Sequence, residues 1–283
     1  MNEHPKYLPN RREVLKTGAL LGAGYALAAQ PVSAQAIHTP EEGLVTANQF
    51  LDRGGAQLPV YVARPKGEGK FPAVIVIHEI FGLHEYIRDI VRRFAREGFL
   101  AAAPDLYLRQ GDVKALGSIS EVFEIVRKVP DRQMLDDLGA LLTQLREMKE
   151  CNGKVGATGY CWGGGATWLF VADNPGLRAG VAWYGRMTNW GDGTELHPKS
   201  PADIAAQLNA PVLGLYGGQD SGIPLSQVEA MKAALKAASK PHEFVVYPDA
   251  PHGFHADYRP SYRADAARDA WAKCVAWFRK HLA

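Results

Sequence analysis

The sequence predicts an α/β protein built on one mostly parallel sheet with helices on both faces. Three observations carry this reading. Short β-rich runs alternate with longer helical stretches from Phe71 to the C-terminus, the order that right-handed βαβ crossovers produce. The run Phe71-Pro72-Ala73-Val74-Ile75-Val76-Ile77 is apolar throughout, as expected of a central strand covered on both sides. No repeat, low-complexity tract or linker divides residues 37–283, a length that one large domain accommodates.

Leu44–Leu51 and Gln57–Ala63 read as two antiparallel lead-in strands joined by the turn-forming Asp52-Arg53-Gly54-Gly55. After the apolar strand comes a helix over Glu85–Glu97, which Gly98 ends. The alternation continues with strand Leu100–Ala103, helix Asp131–Lys149, strand Lys154–Thr158, helix Gly163–Ala172 and strand Ala179–Trp183. Strand Val212–Tyr216, helix Leu225–Ala238, strand Glu243–Tyr247 and a last helix over Tyr262–His281 complete it. Residues Gln110–Pro130 have the least regular pattern and are read as a cap over the strand ends.

Composition narrows the function classes. With 32 basic against 30 acidic residues and a net charge of +2, the chain projects no field suited to nucleic acid or an anionic membrane. Its three cysteines, Cys151, Cys161 and Cys274, have spacings of neither a zinc site nor a disulfide framework. No metal and no cofactor is expected.

Residues 1–36 read as an export signal. Asn10-Arg11-Arg12-Glu13-Val14-Leu15-Lys16 is similar to a twin-arginine motif, and an apolar stretch from Thr17 to Ala29 follows. Val32-Ser33-Ala34 and Ala34-Gln35-Ala36 both fit signal peptidase, so cleavage is expected after Ala34 or Ala36. The apolar stretch is too short to span a bilayer. The expected partners are therefore the twin-arginine export machinery and signal peptidase, with no stable membrane insertion after cleavage and a periplasmic mature domain over 37–283.

The chemistry is expected at Gly159-Tyr160-Cys161-Trp162-Gly163-Gly164, directly after a strand. This is a G-x-C-x-G nucleophile elbow, in which glycines let a helix pack close beneath a residue held at a sharp turn. The thiol would sit at a helix N-terminus, whose partial positive charge favours thiolate and oxyanion alike. In α/β-hydrolases an acid and then a histidine follow the nucleophile, each after a strand. Asp220, ending Gly217-Gly218-Gln219-Asp220, and His252, in Pro251-His252-Gly253-Phe254, supply both in that order. Asp203, Asp249 and Asp257 lack such a turn after a strand. Cys151 and Cys274 lack an elbow and are read as structural.

With His78-Glu79-Ile80-Phe81-Gly82 and Pro104-Asp105-Leu106-Tyr107 added to these motifs, residues 44–282 resemble the dienelactone hydrolase (carboxymethylenebutenolidase) family of α/β-hydrolases. The resemblance implies a small-molecule ester or lactone substrate and a covalent thioester. It makes Cys161 the nucleophile, His252 the general base and then acid, and Asp220 the group that orients the imidazole. It also implies that Glu79 contacts the cysteine before substrate binds, and that the backbone N–H groups of Trp162 and Ile80 form the oxyanion hole. Tyr184, Phe254, His255 and Arg109 are the expected pocket residues. One departure concerns substrate: family members that bind a dienelactone carboxylate carry arginine four positions after the catalytic histidine, where this chain has Ala256. The competing functions are a broad carboxylesterase or thioesterase, and a non-catalytic binding protein, which would have no need to keep Cys, Asp and His in register.

Overall fold

In the computed structural model, which describes residues 36–283, eight strands form one sheet. They are β1 (Leu44–Arg53), β2 (Ala56–Pro65), β3 (Phe71–Ile77), β4 (Leu100–Pro104), β5 (Cys151–Tyr160), β6 (Leu177–Trp183), β7 (Val212–Gly217) and β8 (His242–Tyr247). Among the described residues six α-helices connect or cover them: α1 (Glu85–Arg96), α2 (Ile119–Val126), α3 (Asp131–Glu147), α4 (Trp162–Asp173), α5 (Leu225–Ala237) and α6 (Ala264–Leu282). The expected signal segment lies, except for Ala36, outside the described residues.

The strand order is β1-β2-β4-β3-β5-β6-β7-β8. The first two strands form an antiparallel hairpin, β2 pairs antiparallel with β4, and every later pairing is parallel. The connection through α1 runs from β3 to β4 on one side, and the next crosses back over β3 to place β5 on the other. The winding therefore reverses between β3 and β5, and beyond the carboxyl ends of such a pair an open α/β sheet has its crevice. Both strands lead into residues singled out above, β3 into Glu79 and β5 into Cys161.

The pleat of β3 explains why its whole length is apolar. Ala73, Ile75 and Ile77 join the core that also holds the buried faces of α3, α4 and α5. Val74 and Val76 point the other way, into the core formed with α1 and α6. Alternate side chains of one strand thus fill two layers. Helix α4 is buried from Gly163 to Ala172, which suits a helix with no polar face.

Residues Gln110–Pro130 are more regular than the sequence pattern indicates. They hold a single 3₁₀ turn (Val113–Ala115) and α2, whose N-cap Ser118 accepts a hydrogen bond from Glu121 N–H at 3.3 Å. Val113, Val122, Val126 and Val129 anchor the segment in the core beside α3.

Candidate active site

Three strand ends assemble the site. From β5 the chain turns directly into α4, and Cys161 stands at the corner with φ +57° and ψ −113°. A non-glycine residue held there costs about 1–3 kcal/mol. Backbone bonds hold it: Cys161 N–H donates to the Trp183 carbonyl at 3.0 Å, and its own carbonyl accepts from Gly164 N–H at 3.0 Å. The helix start lies against β3, so that a Cβ on Gly163 would sit 2.3 Å from the Ile77 oxygen and 2.6 Å from the His78 oxygen. Gly163→Ala is expected to push the elbow off β3, costing about 1–3 kcal/mol and most of the turnover. Urea unfolding checks this, and an unchanged midpoint would contradict the close approach.

His252 follows β8 and Asp220 follows β7. The imidazole Nε2 lies 3.2 Å from Cys161 Sγ, and Nδ1 lies 2.7 Å from Asp220 Oδ2. Asp220 is itself fixed, its Oδ1 accepting from the N–H groups of Gly222 at 2.9 Å and Ile223 at 3.0 Å, with its side chain fully buried. Burial works against charge on His252, but the neighbouring Asp220 and Cys161 outweigh it and push the imidazole up to about 10. Asp203 and Asp257 are engaged elsewhere, with Ser200 N–H and with Arg93.

Glu79 is placed differently from expectation. It makes no hydrogen bond to Cys161; its Oε2 accepts from the Tyr258 hydroxyl at 2.6 Å and lies 3.5 Å from His84 Nε2, while Oε1 faces Arg259 at 3.5 Å. Complete burial favours its neutral form, yet Arg259, His84 and Tyr258 together hold the carboxyl down to about 2. An arginine next to a buried carboxylate claims it electrostatically, which is why the expected contact with sulfur is not made.

The expected pocket residues also separate. Tyr184 is fully enclosed, has φ +37°, and sets its ring edge-on to His252 at 5.2 Å between centroids. Phe254 and His255 belong to the core behind Cys161, Asp220 and His252: Phe254 packs on Trp183 and Tyr247, and His255 Nδ1 lies 2.7 Å from the Tyr86 hydroxyl. Burial, with Arg93 nearby, keeps His255 neutral. Arg109 is held away, ion-paired to Asp137 of α3 together with Arg53. Cys151 and Cys274 are buried thiols, as expected of structural residues.

The backbone N–H of Ile80 donates to no protein acceptor among the described residues. Trp162 opens α4, where the N–H groups of the first turn have no intrahelical partner. Around it stand His78 and Trp190, each stacked on its indole, and Tyr107 edge-on at 5.1 Å.

Comparison with known proteins identifies the family. The family model described as "Dienelactone hydrolase family" matches residues 58–282. The chain belongs to the dienelactone hydrolase family. It is 49% identical over 275 residues to a Methylorubrum extorquens protein named "Putative carboxymethylenebutenolidase", covering 96% of this chain and 93% of that one. An Escherichia coli protein of the same name is 48% identical over 261 residues, covering 92% and 96%. The crystal structure of a "Putative Dienelactone Hydrolase" from Klebsiella pneumoniae superimposes with a TM-score of 0.81 at 48% identity, covering 84% of this chain and 99% of that one.

Within this dienelactone hydrolase fold, sequence reasoning missed Arg259. The segment after His252 folds back, so that an arginine seven positions later returns its guanidinium to Gly253, where a Cβ would lie 2.7 Å from Nη1. It lies over the rings of Phe81 and Tyr258, at 5.1 Å and 5.7 Å from their centroids. Burial disfavours its charge, but Tyr258, Glu79 and Cys161 hold it up. Among the described residues its N–H groups donate no hydrogen bond, and its ion pair with Glu79 is long at 3.5 Å. The signal that could have found it is an arginine among aromatic residues, Tyr258-Arg259-Pro260-Ser261-Tyr262, shortly after the histidine.

Proposed function

We propose that this dienelactone hydrolase relative cleaves a lactone or ester by acyl transfer to Cys161, with a carboxylate on the substrate read by Arg259. The observation that carries the mechanism is the line Asp220–His252–Cys161, with contacts of 2.7 and 3.2 Å. In the first half, with the Cys161 proton taken up by His252 Nε2, Sγ bonds to the carbonyl carbon, and the oxyanion formed is received by the N–H groups of Trp162 and Ile80. As the carbonyl re-forms, the C–O bond to the alcohol breaks and His252 Nε2–H gives the leaving oxygen its proton. In the second half His252 takes a proton from water, the resulting hydroxide attacks the thioester, and the C–S bond breaks to release the acid. For a lactone both products remain one molecule, a hydroxy acid.

Arg259 supports an anionic substrate. A guanidinium with unused donors, planar and close to the histidine, matches a carboxylate bidentately. A Bradyrhizobium relative, 31% identical over 239 residues, is named "Probable 2-oxo-3-(5-oxofuran-2-ylidene)propanoate lactonase", a name that pairs a lactone ring with a carboxylate. The experiment is a panel of lactones, aryl esters and thioesters, each with and without a carboxylate, given to the mature protein and to Arg259→Met. The carboxylate-bearing lactones are expected to lead, and the substitution to raise their KM by about 10- to 100-fold while sparing neutral esters. Equal losses on neutral substrates would remove the carboxylate assignment, and a preference for thioesters would move the activity to that class.

We also infer export to the periplasm from residues 1–36. Arg11→Lys with Arg12→Lys is expected to leave uncleaved precursor in the cytoplasm. Normal processed protein in the periplasmic fraction would overturn that inference.

A further inference from the structure

The β6 to β7 connection passes over the nucleophile's neighbour before it reaches the 3₁₀ segment Pro201–Gln207. Within it, Trp190 lies on the Trp162 indole with ring centroids 5.8 Å apart and 30° between planes. Helix α4 makes room for it: a Cβ on Gly165 would sit 2.5 Å from the Trp190 ring. The loop is tied at two places. Ser200 Oγ accepts from the N–H groups of Trp190 at 3.0 Å and Gly191 at 3.1 Å. The other tie is Asp131, the first residue of α3, whose Oδ1 accepts from Trp190 Nε1 at 3.1 Å and lies 2.9 Å from His197 Nδ1.

His197 closes the arrangement. Its Nε2 lies 3.0 Å from the Arg127 carbonyl oxygen at the end of α2. A carbonyl accepts only, and an ionised carboxylate accepts only, so both ring nitrogens must carry hydrogen for both contacts to be hydrogen bonds. That is the imidazolium. Neutral histidine has one N–H and must give up one of the two. We propose that Asp131 and His197 are positioning residues for ester binding, a proton-dependent clasp that holds Trp190 on Trp162 and so shapes the wall beside the nucleophile. The proposal rests on Cys161 being the reacting group.

The surroundings support a charged His197. The hydrogen bond with Asp131 raises its titration above the ordinary 6.5, against partial burial, with Arg127 O and Asp192 adding to the rise. The charged groups around it are Asp131 of α3, Asp192 on its own loop and Arg127 of the α2 end, whose guanidinium turns to Glu124 at 3.1 Å. Because the folded value is raised, the clasp is fully present below pH 6.5 and is lost as pH rises through that raised value. An open loop lowers the competent fraction and appears as a higher KM.

The test combines histidine NMR with kinetics of p-nitrophenyl acetate from pH 6 to 9.5. The resonance assigned to His197, by its loss in His197→Asn, is expected to titrate above 6.5. Across the same midpoint the KM of the unaltered protein should rise by about 10-fold or more, the weight of one charge-assisted hydrogen bond, with a smaller change in kcat. His197→Asn should show the high KM at every pH, and His197→Arg, charged throughout, the low one. A midpoint at or below 6.5, or a KM step that survives in His197→Asn, overturns the proposal. So does His197→Arg behaving as His197→Asn, which is what a purely structural contact would give. Failure of the Cys161 reading shows separately, as hydrolysis that survives Cys161→Ala.

Discussion

Cys161→Ala is expected to lower ester and lactone turnover on the order of 10⁴-fold or more, the usual consequence of deleting a covalent nucleophile. The same change at Cys151 or Cys274 should leave turnover close to that of the unaltered protein, since both thiols are buried and neither stands at the elbow. Cys274 is fully enclosed in the α1–α6 layer, so its variant should lose stability, about 1 kcal/mol, without losing the chemistry. Progress curves at matched protein concentration check all three. A Cys161 variant that keeps most of its turnover would remove the acyl-transfer mechanism.

The second large effect is at Asp220. Asn in its place keeps the shape but removes the charge that holds the imidazolium, and an amide can present N–H to Nδ1 and select the wrong tautomer. A loss on the order of 10³- to 10⁴-fold is expected. The pH profile should change with it. In the unaltered protein His252 titrates at about 10, so kcat/KM should fall as pH rises through that value and the general acid loses its proton. In Asp220→Asn that alkaline limb should move down by at least one unit. The same raised value sets the sign for stability: the imidazolium's contribution is complete below pH 6.5 and declines as pH rises through about 10. An alkaline limb that stays in place in Asp220→Asn would show that His252 is not the group titrating.

Much of this was legible because the fold and the elbow leave local signals. The β3 run has the same bounds in sequence and structure, since only a strand buried on both faces needs to be apolar at successive positions. That Cys161, Asp220 and His252 come into contact was readable because each follows a strand. Other features were hidden for physical reasons. Strand β5 begins at Cys151, earlier than its pattern indicates, because Phe71 pairs with Cys151 across a register shift and the turn-like Asn152-Gly153 lies inside it. Helix α2 is short, yet its N-cap sequence Ser118-Ile119-Ser120-Glu121 was present to be read. Glu79 and Arg259 could not be paired from sequence, because their meeting depends on how the segment after His252 folds back. Arg109 looked available only because Asp137, 28 positions on, is out of view in the sequence.

The pairing of Glu79 with Arg259 changes what that glutamate does. A buried carboxylate and guanidinium stabilise each other chiefly by sparing the partner an uncompensated charge. On the proposed carboxylate-binding role of Arg259, Glu79 would keep that guanidinium charged and in place beside His252.

The central claim, a thioester at Cys161, is tested most directly by mass spectrometry of the protein quenched during turnover of p-nitrophenyl acetate. An acetyl group should be found on the tryptic peptide that contains Cys161, released by hydroxylamine and missing from Cys161→Ala. An acetyl group on another residue during turnover, or full turnover with no acyl adduct formed at any time, would contradict it.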